Sequence, residues 1–126
     1  MDKVVHFEIP FEDNKGAVKF YKETFNWKIQ QYGEMKYWGV CTVDIDEKHM
    51  PLEKGAINGG MLKRPEFMKG PVITINVKDM DKAIERVNGN GGKIVHEKTK
   101  VGDVGYTAYF KDTEGNVLGL WQEISK

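Results

Sequence analysis

Val72-Ile73-Thr74-Ile75-Asn76-Val77 is followed by Asp79, by apolar Met80, Ala83, Ile84 and Val87, and by Asn88-Gly89-Asn90-Gly91-Gly92. The first run is rich in β-branched residues and reads as a strand. Asp79 is a good helix cap, and the four apolar positions fall at i, i+3, i+4 and i+7, one stripe of an amphipathic helix. The asparagine and glycine cluster then stops that helix.

The same order occurs upstream. Val4-Val5-His6-Phe7-Glu8-Ile9 alternates like a half-buried strand, Asp13 and Asn14 are capping candidates, and Val18, Tyr21 and Phe25 fall at helical spacing. Laying His6 on Val72 also lays Tyr21 on Val87, a constant offset through strand and helix. Each helix precedes three shorter strand-like pieces: 27–32, 37–43 and 56–62 in the first half, 93–96, 106–110 and 117–122 in the second. Asp112-Thr113-Glu114-Gly115 carries the residues of a tight hairpin turn. Each half therefore reads β-α-β-β-β, with residues 63–70 as the link. The expectation is one α+β domain over 1–126, made of module one at about 1–65 and module two at about 70–126, since neither half looks large enough to stand alone.

Nineteen basic residues offset nineteen acidic ones, so no net field draws the chain to nucleic acid or an anionic membrane. Cys41 is the only cysteine, which excludes an internal disulfide and a thiolate metal cluster. In Val40-Cys41-Thr42-Val43 it reads as a small core residue. No apolar run approaches the roughly 20 residues of a membrane span, and the start has no apolar signal region; the default compartment is the cytoplasm.

The chain resembles the vicinal-oxygen-chelate superfamily, which includes glyoxalase I, the bleomycin-resistance proteins and the extradiol dioxygenases. The resemblance rests on His6-Phe7-Glu8-Ile9-Pro10, Val18-Lys19-Phe20-Tyr21, Phe25-Asn26-Trp27-Lys28, Asp81-Lys82-Ala83-Ile84 and Gly91-Gly92-Lys93-Ile94. Its most specific piece is Tyr109-Phe110-Lys111-Asp112-Thr113-Glu114-Gly115-Asn116, leading into Val117-Leu118-Gly119-Leu120-Trp121-Gln122. The resemblance implies two βαβββ modules forming a curved mixed sheet around a cleft, with helices outside. It also implies a homodimer in which modules of two chains complete each cleft.

In the metal-dependent members, a ligand comes from the first and the last strand of each module. Carried over position by position, only His6 remains. Its counterpart is Val72, and the last-strand positions fall on Gly59 or Gly60 and on Gly119. Three protein ligands are a common minimum for a catalytic zinc, so no cofactor is expected and a divalent metal is disfavoured without being excluded. Asp44, Asp46 and His49 match no metal-loop geometry, and no phosphate-loop motif or Ser/His/Asp arrangement is present.

Strand alternation puts His6 and Glu8 on one face of the first strand, with Val5, Phe7 and Ile9 on the other. His6 reads either as a satisfied polar residue at a sheet surface or as a binding or acid–base group. Trp121 shares a face with Gly119, and of Tyr37 and Trp38 one can line the cleft. These aromatics read as packing residues or as ligand platforms. Glycines in place of carboxylates leave room for a flat or apolar molecule. The expected ligand-binding residues are His6, Glu8, Trp38, Gly60, Gly119 and Trp121, with His6 and Glu8 as the catalytic candidates. Three functions follow: a metal-independent small-molecule binder, a lyase or isomerase using His6 and Glu8 as acid–base groups or a metal held by ligands that do not align, or a dimeric interaction module.

Overall fold

The computed structural model describes residues 1–124. It divides into two compact units, His6–Pro71 and Val72 onward, the latter joined by Met1–Val5. The chain start groups with the second unit because the Asn76 amide donates to the Lys3 carbonyl at 2.8 Å.

The first unit contains β1 (Val4–Phe11, whose first two residues group with the second unit), α1 (Asn14–Phe25), β2 (Lys28–Gln31), β3 (Tyr37–Cys41) and β4 (Gly59–Lys63). β1 pairs parallel with β4, which pairs antiparallel with β3, and β3 pairs antiparallel with β2. Asp13 caps α1, its carboxylate accepting from the Lys15 amide at 3.1 Å. The helix ends where Asn26 turns left-handed at φ 60° and donates to the Lys22 carbonyl, a conformation asparagine tolerates well. Ala17, Val18 and Tyr21 of α1 pack over Phe11, Ile29, Val40 and Met61. Met61 is fully buried, a burial that contributes about 1.5–3 kcal/mol.

The second unit repeats this path with β5 (Val72–Asn76), α2 (Met80–Gly89), β6 (Lys93–Val101), β7 (Gly105–Lys111) and β8 (Val117–Glu123). β5 pairs parallel with β8, then β8 with β7 and β7 with β6 antiparallel. Asp79 caps α2 by accepting from the Lys82 amide. The first-turn amide of Met80 donates to Gln122 Oε1 at 2.6 Å, which ties the helix start to β8. Met80 and Ala83 bury against Val77, Ala108 and Leu120. The protein is thus α+β, two βαβββ modules each carrying a mixed sheet and one helix.

Two strands depart from expectation. β4 starts at Gly59 rather than Ala56, because Asn58 Oδ1 accepts from the amides of Thr42 and Val43 and replaces ladder pairing there. β6 continues to Val101 with two register shifts, although Glu97, Lys98 and Lys100 interrupt its apolar pattern. It pairs on one side only within its unit, and such an edge tolerates charges. Lys98 bridges to Asp81 and lies 4.4 Å from the Tyr106 ring centre.

Candidate functional site

In module one the sheet has two unlike faces. Phe7, Ile9 and Phe11 of β1 join the core under α1. Alternation sends His6 and Glu8 to the open face. Glu8, Gly60 and Gly39 are successive register partners across β1, β4 and β3. Two glycines in register leave a trough in that face, and tyrosine rings fill it. A Cβ on Gly60 would overlap the Tyr37 phenol, and one on Gly39 would overlap that of Tyr32. Glycine in a strand interior here permits close approach of a ring to the backbone.

His6 and Tyr37 meet at this trough. His6 Nε2 lies 2.7 Å from the Tyr37 hydroxyl. The ring centres are 6.5 Å apart and the planes differ by 14°. That separation is close to the hydrogen bond plus the two centre-to-heteroatom lengths, so the rings lie edge to edge in nearly one plane. The Tyr32 ring lies nearly parallel to that of Tyr37, centres 6.1 Å apart and planes 8° apart. Glu8 is buried on this face, 6% exposed. Burial pushes the His6 imidazole below its ordinary range, partly offset by the negative charge of Glu8. A neutral imidazole results at neutral pH. The Tyr37 hydroxyl can donate to Nε2, or accept from Nε2–H and keep its proton for a ligand oxygen. Burial, and then Cys41, raise the Tyr32 phenol above its ordinary range.

Trp38 does not share this face. It packs edge-on to Phe11, centres 5.2 Å apart at 80°, on the side of α1. Of the two neighbouring aromatics it is therefore Tyr37 that accompanies His6. The expectation that glycine leaves room is also corrected at Gly60, where Tyr37 takes the volume. Tyr32 is the residue sequence reasoning missed, whereas Tyr37 was weighed there against Trp38 and Trp38 was taken. Gly39, isolated within its strand, and the Gly59-Gly60 pair were the available signal.

In module two Gly119 sits between Thr74 on β5 and Tyr109 on β7. A Cβ there would lie 3.0 Å from Thr74 Oγ1 and 3.5 Å from the Tyr109 ring. The Trp121 ring crosses Gly105, where a Cβ would collide with it. Trp121 is thereby held flat along β7 on the face of Gly119. His96 packs edge-on to Tyr109, centres 5.9 Å apart.

The residues present do not fit a divalent ion of the kind the superfamily resemblance implies. No three His, Cys, Asp or Glu side chains converge among the described residues. The last-strand positions are glycines, and Tyr37 covers one of them. In the 44–49 loop the Asp46 carboxylate accepts from the amides of Lys48 and Met50, and Asp44 pairs with Lys28.

The family profile described as "Glyoxalase/Bleomycin resistance protein/Dioxygenase superfamily" matches residues 3–120. The chain belongs to this superfamily. It is similar to a "Glyoxylase-like domain-containing protein" of Didymella fabae, 35% identical over 118 residues, covering 90% of this chain and 88% of that one. It is 28% identical over 116 residues to CFP32 of Mycobacterium bovis, a match covering 87% of this chain and 41% of that longer protein. The fold is shared with methylmalonyl-CoA epimerase of Streptomyces coelicolor, at TM-score 0.65 and 15% identity over 98% of both chains. It is shared also with a superfamily member from Vibrio splendidus 12B01, at TM-score 0.62 and 13% identity, covering 98% of this chain and all of that one. No helix among the described residues is long and apolar enough to cross a membrane.

Proposed function

We propose that the chain binds a small, apolar or aromatic molecule without metal, on the open face of module one. The carrying observation is the coplanar His6–Tyr37 pair over Gly60, with the Tyr32 ring nearly parallel beside it. A flat apolar surface with one polar contact suits such a ligand, since binding needs mostly apolar area and a few placed polar groups. His6 and Tyr37 supply that contact, and Glu8 lies buried on the same face. Trp121 across Gly105 offers a second aromatic surface in module two. The working unit in this reading is a cytoplasmic homodimer, supported by the superfamily resemblance and tested by light scattering at micromolar concentration; a strict monomer would count against it.

A lyase or isomerase that uses His6 and Glu8 as acid–base groups is the second reading. The imidazole kept neutral by burial favours it, because a neutral ring accepts a proton while Tyr37 stands ready to donate one. The glyoxylase-like and epimerase relatives support this class by similarity alone. One experiment separates the readings. Flat aromatic compounds and small oxoacid thioesters are titrated against wild type, His6→Ala and Tyr37→Phe, recording both affinity and turnover. Loss of affinity alone supports the binder, and loss of turnover at kept affinity supports the enzyme. Unchanged values in both variants would remove this face from the function.

A further inference from the structure

On the other face of the module-one sheet, Trp38 and residues of α1 line a shallow groove of about 390 Å³. Lys15, Lys19 and Lys22 line it too, with Val18 and Glu23. Spacings of four and three residues align the three lysines in one stripe along the helix. None of the three forms an ion pair among the described residues. Like charges at this spacing work against the helix at Lys15 and Lys19, whereas Lys22 in the last turn favours it by facing the negative end of the helix dipole. Three ammonium groups against the one Glu23 carboxylate leave two positive charges unmatched. The indole beside them is held by its edge-on contact with Phe11, and Val18 supplies apolar surface. The volume lies within the roughly 300–1,000 Å³ of small-molecule sites.

We propose that this groove binds a small dianion carrying a flat ring, of the aryl phosphate class. The ring lies against Trp38 and Val18, and the phosphate sits among the ammonium groups of Lys15, Lys19 and Lys22. A doubly charged group matches the two unmatched positive charges, and lysine binds phosphate as a point charge without demanding a fixed fork geometry. The site is separate from the His6–Tyr37 face, so it stands or falls independently of the function proposed above.

The test is calorimetric titration of the full chain with phenyl phosphate, inorganic phosphate and phenol. Phenyl phosphate should bind more tightly than either fragment, and its affinity should fall as salt screens the lysines. The triple substitution Lys15→Ala, Lys19→Ala, Lys22→Ala changes exposed side chains and should leave the fold intact while weakening binding about tenfold or more. Trp38→Phe should lower the preference for phenyl phosphate over inorganic phosphate, and His6→Ala should change nothing. No binding of phenyl phosphate, or equal binding by the triple variant, would overturn the proposal. Equal affinity for phenyl phosphate and inorganic phosphate would overturn the role given to the ring.

Discussion

The Tyr37 hydroxyl stands 2.7 Å from His6 Nε2 in a volume that any side chain at position 60 would need. The hydrogen bond and the glycine are therefore one feature. A larger residue at Gly60 must displace the ring that holds the imidazole.

Tyr37→Phe keeps the ring and removes the hydroxyl. The expected loss of stability is about 0.5–1.5 kcal/mol, the net worth of one hydrogen bond. Urea unfolding measures it, and a variant as stable as wild type would show that the contact contributes nothing.

Gly60→Ala and Gly59→Ala should differ. At Gly60 the obstacle is the end of the Tyr37 side chain, which can swing away at the cost of its hydrogen bond. At Gly59 it is the Phe7 carbonyl and ring, and backbone yields less readily. We expect about 1–2 kcal/mol for Gly60→Ala and about 3 kcal/mol or more for Gly59→Ala. Pairing Gly60→Ala with Tyr37→Ala should cost less than the two single changes added together. Additive costs would disprove the overlap.

The pH dependence follows from His6. Burial lowers its folded-state pKa from the ordinary 6.5. Below pH 6.5 the unfolded chain binds a proton that the folded chain still refuses, so stability is full above that value. It is lost as pH falls through the window between 6.5 and the folded value. Melting temperatures across that window should fall for wild type and fall less for His6→Ala. Parallel curves would show that His6 does not drive the effect.

Divalent zinc, nickel or manganese should leave the melting temperature unchanged, because among the described residues no three His, Cys, Asp or Glu side chains converge, where three are commonly needed. A stabilising shift saturating at one ion per chain would mean that donors converge in a way the described residues do not show.

Met61→Ala tests the packing that supports the open face from behind. The side chain is fully buried in the α1 core, and its truncation should cost about 2–5 kcal/mol. A cost below 1 kcal/mol would indicate that the site collapses around the cavity.

Local chemistry made much of this fold legible. Asp13 and Asp79 announced both helix starts, Asn88 to Gly92 announced the second helix end, and the constant offset between His6 and Val72 announced two modules. The Asp112 turn was legible for the same reason, its carboxylate accepting from the amides of Glu114 and Asn116 within four residues. Alternation along β1 also put His6 and Glu8 on one face, since a two-residue period needs no knowledge of the partner strand.

Other features depended on what lay across the sheet. Nothing local to Tyr37-Trp38 says which ring faces the helix. The register of β3 on β4 decides it, by setting Trp38 opposite Met61 in the core. Likewise Gly60 reads as empty space along the chain and becomes occupied only when Tyr37, 23 residues earlier, folds over it. The continuation of β6 through Glu97 and Lys100 was hidden because an edge strand is held by backbone pairing, which composition does not report. Capping, turning and alternation act between near neighbours, so the sequence alone determined the elements and their repeat. Register and ring placement arise between residues distant in the chain, and only the tertiary structure decided which side chains share the site.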